Sequence, residues 1–298
     1  MSFRIKNIVS PEKVFRDGVF EFTSAPGYHI GSAICYAVSK NGISKINKDI
    51  NIVAVITTRE LAEYVDESKG VIITDRPDEE YYGIHNELFL SGEMSLKRDQ
   101  YVADSAHIED DVVLPDNVVI GERVIIERGA VIEDFTVIED DAYIGQRAIL
   151  GAIGMQSLKV NGVRQQVCFA GGVRVGKGCE VLANAIIQKP YQCFYTEIGN
   201  HTQISVKVSV GHGSRIGEGC MIAGGVTIAG NVTVGSNVWI GPASVVADGL
   251  KIGDGAKVRV GSVVVKNVAS EAEVSGNFAV PHKINVRNFT KALLENKK

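Results

Sequence analysis

The stretch "SVGHGSRIGEGCMIAGGVTIAG", residues 209–230, places an aliphatic residue at every sixth position. These are Val210, Ile216, Ile222 and Ile228, each followed by Gly or Ala. Two residues before the aliphatic there is often a smaller side chain, such as Ser214 or Cys220. Residues two apart in a short strand share a face, so both point the same way, and the turn formers that follow make a corner. Neither a helix nor a hairpin has a period of six. A parallel β-helix with three hexads per coil does.

The period extends well beyond this stretch. It runs from Val102 to Leu150, returns at Val175, Val181 and Ile187, and continues from Ile198 to Val264. At eighteen residues per coil this amounts to about eight coils, assigned to residues 101–268. Two breaks interrupt it. Residues 151–172 leave the hexad and are expected to loop out, with Lys159, Arg164, Gln165 and Gln166 able to reach an anionic ligand. Between Ile187 and Ile198 the spacing is eleven rather than twelve, which reads as a one-residue irregularity within "KPYQCFYTE".

Residues 1–100 have a different pattern. "NIVAVITT" (51–58) and "GVIITD" (70–75) read as buried strands, and "RELAEYVDES" (59–68) between them has helical polarity. "DRPDEEYYGIHNELFLS" (75–91) reads as a helix capped by Asp75, with Pro77 in its first turn. This is a small α/β domain. The remaining residues, 269–298, read as a short amphipathic tail.

Composition narrows the function classes. Of 298 residues 45% are hydrophobic and 22% charged, as in a globular protein. The net charge of −4 comes with no basic block, which argues against a nucleic-acid binder. No apolar run approaches the roughly 20 residues of a membrane span. The start, "MSFRIKNIVSPEKVF", lacks a signal peptide's apolar core, so the expected location is cytoplasmic. The five cysteines include no CxxC pair and are expected to be reduced packing groups. None of the six histidines forms the closely spaced pair that a β-helical zinc hydratase needs, so no metal is expected.

His212 is the second residue after Val210, which puts it on a corner, pointing away from the prism core. Gly230 lies eighteen residues later, one coil up on the same edge, at about the 4.8 Å separation of paired strands. A base with a backbone N–H one coil above it is what acyl transfer needs: the base takes a proton from the nucleophile and the donor stabilises the oxyanion.

The hexad over residues 100–280 resembles the hexapeptide repeat of left-handed β-helix acyltransferases, which implies a left-handed coil. "VSVGHGSRIGEGCMIAGGVTIAG" is similar to the active-site segment of the UDP-3-O-acylglucosamine N-acyltransferases of lipid A synthesis. The resemblance implies that His212 is the general base and that the Gly230 amide binds the carbonyl. "YYGIHNELF" resembles the uracil-binding segment of that family, which gives Asn86, Phe89 and the neighbouring Tyr82 as nucleotide-binding candidates.

The chain also departs from that family. Ser205 stands where it has an aspartate, Asp248 where it has a second histidine, and the extension that engages acyl carrier protein is missing. Related coenzyme-A-dependent enzymes often have an acidic residue after the histidine, where Gly213 stands here. "VSGNFAV" resembles the ending of acetyl-coenzyme-A-dependent members, with Phe278 in place of a proline. Lys266, three coils above His212 on the same edge, is placed to meet a phosphate of coenzyme A.

The expectation is an N-acyltransferase of surface-glycan or glycolipid synthesis. It would use acyl-CoA, acetyl-CoA by preference, with a UDP-linked amino sugar as acceptor. The resemblance implies a homotrimer, and outward aliphatics such as Val113, Val119, Ile125 and Val131 suit subunit contacts. The alternatives are the acyl-carrier-protein-dependent enzyme of lipid A synthesis, O-acylation by the same base, and a non-catalytic β-helix scaffold.

Overall fold

A computed structural model describes residues 2–28, 31–96, 99–160 and 163–276, together with 283, 284 and 287. From Tyr101 onward the chain forms a left-handed parallel β-helix, a three-sided prism with sheets of eight, nine and seven strands. The sheets stack as eight coils. Register follows the hexad: Val210 pairs with Ile228, Ile216 with Val234 and Ile222 with Ile240. The inward aliphatics Ile120, Ile144, Val181, Val210, Ile240 and Val258 are fully buried. They belong to one apolar column that fills the prism. Each contributes about 1.5–3 kcal/mol relative to exposure, so the repeated aliphatic is what holds the coils in register.

The third residue after the aliphatic has left-handed backbone. Gly213, Gly219 and Gly225 have φ of 69°, 66° and 70°, and Asn231 and Asn237 both 56°. Glycine and asparagine enter this region at least cost, so the corner is specified as firmly as the core. Leu114, counted as a hexad, is not in a strand, whereas Glu273–Val274 pairs with Lys257–Val258. The prism therefore extends past 268.

Both interruptions swell the prism on one edge. Leu150 pairs with Ile187, 37 positions on, and Ile187 with Val210, 23 positions on, where a regular coil takes 18. Nineteen of the extra residues make the excursion, whose strands Ser157–Val160 and Val163–Gln166 form an antiparallel hairpin. The second interruption corrects the sequence reading. Ile187 and Ile198 lie on successive faces of the prism, so the eleven-residue spacing is one hexad with five residues inserted, not two hexads less one.

The amino-terminal domain begins with β1 (Phe3–Arg4), α1 (Ile5–Ile8), β2 (Val14–Arg16), β3 (Val19–Phe20) and β4 (Phe22–Thr23). β5 (Ala33–Tyr36), α2 (Lys40–Asn47), β6 (Ile52–Thr57), α3 (Arg59–Ala62), β7 (Gly70–Ile73) and α4 (Pro77–Leu90) follow. β1 pairs with β3. The main sheet has the order β2-β7-β6-β5-β4 and is parallel except for β2.

Helices cover both faces of this sheet. Ile43 and Ile46 of α2 and Ala62 of α3 pack with Ile52, Val55 and Val71 on one face. On the other, Tyr81, Ile84 and Leu88 of α4 share a core with Ile34, Ile56 and Ile72, and also with Phe135, Val167, Ala170 and Cys193. α4 is thus clamped between the sheet and the swollen coils.

Three details differ from the sequence reading. The helix expected over 59–68 stops at Ala62. α4 starts one residue later than expected: Arg76 takes the cap position without a side-chain hydrogen bond, Pro77 is the first helical residue, and Asp75 does not cap. β5 and α2 add to the expected elements, and Ser39 caps α2 by accepting from Gly42 N at 3.2 Å. The cysteines are free thiols, four of them buried. Among the described residues no helix is long and apolar enough to cross a membrane. Phe278, and with it most of the tail from 277 onward, lies outside the described residues.

Candidate active site

The strand Ser209–Val210 ends at the corner that carries His212. Only a residue without a side chain fits opposite the imidazole one coil up. A Cβ on Gly230 would stand 2.7 Å from both Nε2 and Cε1 of His212 and 3.0 Å from Asp248 Oδ1. The Gly230 N–H has no acceptor among the described residues, while its carbonyl accepts from Gly249 N at 3.0 Å. His212, a free N–H and a carboxylate therefore meet at one notch in the edge, which is where the sequence put His212 and Gly230.

The two interruptions supply the walls. Tyr191, on the five-residue insertion, lies with its ring centroid 5.6 Å from that of His212. Gly154, on the excursion, would bring a methyl within 3.7 Å of His212 Cδ2 and 3.0 Å of Gln188 Oε1. The amino-terminal domain reaches the same corner through Tyr28. Its ring stacks on Phe194 at 3.8 Å, its hydroxyl donates to Gly213 O at 3.2 Å, and Arg215 lies over its other side at 4.2 Å. Arg215 stands one residue before the inward Ile216, but none of Tyr28, Tyr191 and Phe194 follows from the hexad. The one available signal was the extra residues between Ile187 and Ile198, which carry two of them.

Burial holds the His212 pKa below its ordinary value, with the Asp248 charge opposing part of the shift. The ring is therefore neutral near pH 7, as a base must be. Nδ1 is buried with no hydrogen-bond partner among the described residues, so the imidazole is held by packing and not by an acidic partner. Burial also raises the Tyr28 phenol, and Arg215 offsets part of that rise.

The structure does not bring Tyr82, Asn86 and Phe89 together as a nucleotide site. Asn86 Nδ2 donates to Gln166 O at 3.2 Å, and its Oδ1 accepts from Cys168 N at 2.9 Å. These two bonds tie the carboxamide to the backbone of the excursion. Tyr82 is buried against Tyr36, Tyr81 and Tyr191, and Phe89 packs on the same core. Their neighbour His85 is fully buried; it donates from Nε2 to Cys168 O at 3.0 Å and accepts at Nδ1 from the Thr23 hydroxyl at 2.6 Å. The segment that looked like a base reader is the joint between α4 and the excursion. Lys266 is exposed two coils above Gly230. No cluster of three or more metal-ligating side chains occurs among the described residues.

The model of the bacterial transferase hexapeptide (six repeats) matches residues 195–230 and 231–266. Those coils are bacterial-transferase hexapeptide repeats. The UDP-N-acetylglucosamine acyltransferase of Francisella novicida is similar at 25% identity and a TM-score of 0.49, over 59% of this chain and 65% of that one. This chain thus spans just under two thirds of that protein. The UDP-N-acetylglucosamine acyltransferase of Campylobacter jejuni is similar at 21% identity and a TM-score of 0.47, over 64% and 77% of the two chains. WeeI from Acinetobacter baumannii AYE is similar at 17% identity and a TM-score of 0.28, over 83% and 84%. Comparison with curated proteins gives no match.

Proposed function

We propose that the protein is an acyltransferase that moves an acyl group from a thioester donor to a nucleotide-linked amino sugar. The observation that carries this reading is the His212 imidazole lying against Gly230, whose N–H is free. His212 Nε2 takes the proton from the nucleophile as it attacks the thioester carbonyl. The Gly230 N–H donates to the oxygen that becomes negative, and the proton then passes from the imidazolium to the departing thiolate. The hexapeptide repeats support a transferase, and the resemblance of the 208–230 segment supports a UDP-sugar acceptor.

For the donor we favour acetyl-coenzyme A over acyl carrier protein. Exposed Lys266 on the His212 edge lies within the span of a pantetheine arm, roughly 14 Å at 4.8 Å per coil. The assembly we propose is a homotrimer with the notch in the cleft between subunits. The outward aliphatics Ile125 and Val131, exposed at 40% and 43%, suit such contacts.

His212→Ala tests the reading. A general base is worth roughly 10²–10⁴ in rate, so kcat should fall by that factor at an unchanged Tm. Product is to be followed by mass spectrometry over a panel of nucleotide amino sugars, with acetyl-coenzyme A or an acylated carrier protein as donor. Near-normal turnover by the variant would make His212 a solvated corner. Turnover with the carrier protein alone would reverse the donor assignment.

A further inference from the structure

We propose that Asp248 makes the site select an amine: its carboxylate receives the acceptor's ammonium group and holds it beside His212 Nε2. This rests on the acyl-transfer reading above. Asp248 occupies the second position after the inward Val246, a position that recurs at each corner of the prism. Where Asp or Asn stands there in three other coils, the side chain serves the backbone. Asp140 Oδ1 accepts from Glu122 N at 2.9 Å, Asn200 Oδ1 from Lys177 N at 3.0 Å and Asp254 Oδ1 from Ser236 N at 2.7 Å.

Asp248, like Asp134 lower on its own edge, makes no such bond among the described residues. The equivalent amide is that of Gly230, and it has no acceptor among the described residues. The Asp248 carboxylate has neither a hydrogen-bond partner nor an ion-pair partner among them, and Lys266 above it does not pair with it. Instead Oδ1 stands 3.0 Å from the empty Gly230 Cβ position, a point that lies 2.7 Å from His212 Nε2. Asp248 Oδ1 and His212 Nε2 thus both border the unsubstituted Cα of Gly230, and Asp248 is exposed, so a small group can approach the two side chains from outside.

The chemistry there favours nitrogen. An ammonium brings a full positive charge and several N–H donors to an unpaired carboxylate, and such charge-assisted bonds are about twice as strong as neutral ones. A sugar hydroxyl brings no charge. The other titratable or charged groups around the notch are His212, Tyr28 and Tyr191, with Arg215 and Glu197 beyond Tyr28. Arg215 is turned to the Tyr28 ring and to Gly27 O, so it does not neutralise Asp248.

The proton balance is complete. The bound ammonium loses one proton through His212 to water. The resulting amine forms the C–N bond, and its second proton passes through His212 to the thiolate as the C–S bond breaks. The products are an amide, a thiol and one proton released.

The test is steady-state kinetics of the full chain with an amino-sugar nucleotide and with the same nucleotide carrying a hydroxyl in place of the amine. Asp248→Asn should raise KM for the amine roughly ten- to hundred-fold, the worth of a bond to a charged group, and leave KM for the hydroxyl analogue unchanged. The acid limb of kcat should also move to lower pH, because the lost carboxylate no longer opposes the depression of the His212 pKa. Asp248→Glu should recover part of the amine KM. An unmoved KM and pH limb in Asp248→Asn would overturn the proposal. So would a wild-type protein that acylates only the hydroxyl analogue, although acyl transfer itself would then stand. A wild-type protein that acylates neither acceptor would overturn both readings.

Discussion

Gly230→Ala separates catalytic geometry from stability more sharply than removal of the histidine. Gly230 does not have left-handed backbone, so alanine is compatible with its conformation and the coil retains its register. The added methyl, however, falls 2.7 Å from His212 Nε2 and Cε1, whereas ordinary contact begins at 3.4 Å. The imidazole must move by at least ~0.7 Å, and a displacement near 1 Å at a reacting centre costs on the order of 10²-fold in rate. Replacing glycine where alanine is allowed restricts the unfolded chain and stabilises by about 0.4–1 kcal/mol.

The expected result is therefore a kcat about a hundredfold lower at an equal or slightly raised Tm. Gly225→Ala is the matched control. It lies on another edge, has φ of +70° and leaves open space around a Cβ. Left-handed alanine costs roughly 1–2 kcal/mol, so this variant should lose stability and keep its kcat. Acyl-transfer rates and thermal melts on the two proteins decide the matter. A Gly230→Ala variant with wild-type kcat would show that the acceptor does not occupy the notch.

Two further outcomes concern the joint between domains. Burial lowers the His85 pKa to about 4 from 6.5, so the folded protein binds fewer protons than the unfolded chain between those values. The stability His85 supports is then complete above pH 6.5 and is lost as pH falls toward 4. At 1.36 kcal/mol per unit this is about 2 kcal/mol between pH 7 and pH 5. Urea melts of the wild type should show that loss and His85→Gln should lack it; parallel losses would refute the linkage. Asn86→Ala removes both bonds to the excursion backbone and should cost about 1–3 kcal/mol in the same melts. It should leave the KM for the nucleotide sugar unchanged, and a selective rise in that KM would return Asn86 to the nucleotide site.

The sequence carried the prism because each coil repeats the same local instructions: a buried aliphatic, a small partner and a left-handed corner. Its period also placed His212 under Gly230, since stacking converts a distance of eighteen residues into one strand separation. The same arithmetic failed where the period fails. Tyr191 and Phe194 sit on inserted residues that have no hexad position, and Tyr28 arrives from a domain whose docking depends on the shared core around α4. Asn86 shows a different limit. The local pattern "YYGIHNELF" is compatible with reading a base or with binding a loop, and its bonds to the backbone of residues 166–168 have no signal in the sequence.

The two insertions have a consequence for how such a molecule diversifies. Each coil takes its register from its neighbour and not from its distance along the chain. Nineteen residues at one corner and five at the next therefore leave every pairing above them intact. A segment can lengthen, shorten or be exchanged there without a compensating change elsewhere in the prism. Both insertions lie just below His212 and line the notch. In the acyl-transfer reading His212, Gly230 and Asp248 are thus fixed in the repeating frame, while other walls of the notch are carried on replaceable inserts. New acceptors can be tried by swapping the latter with the coils left unchanged.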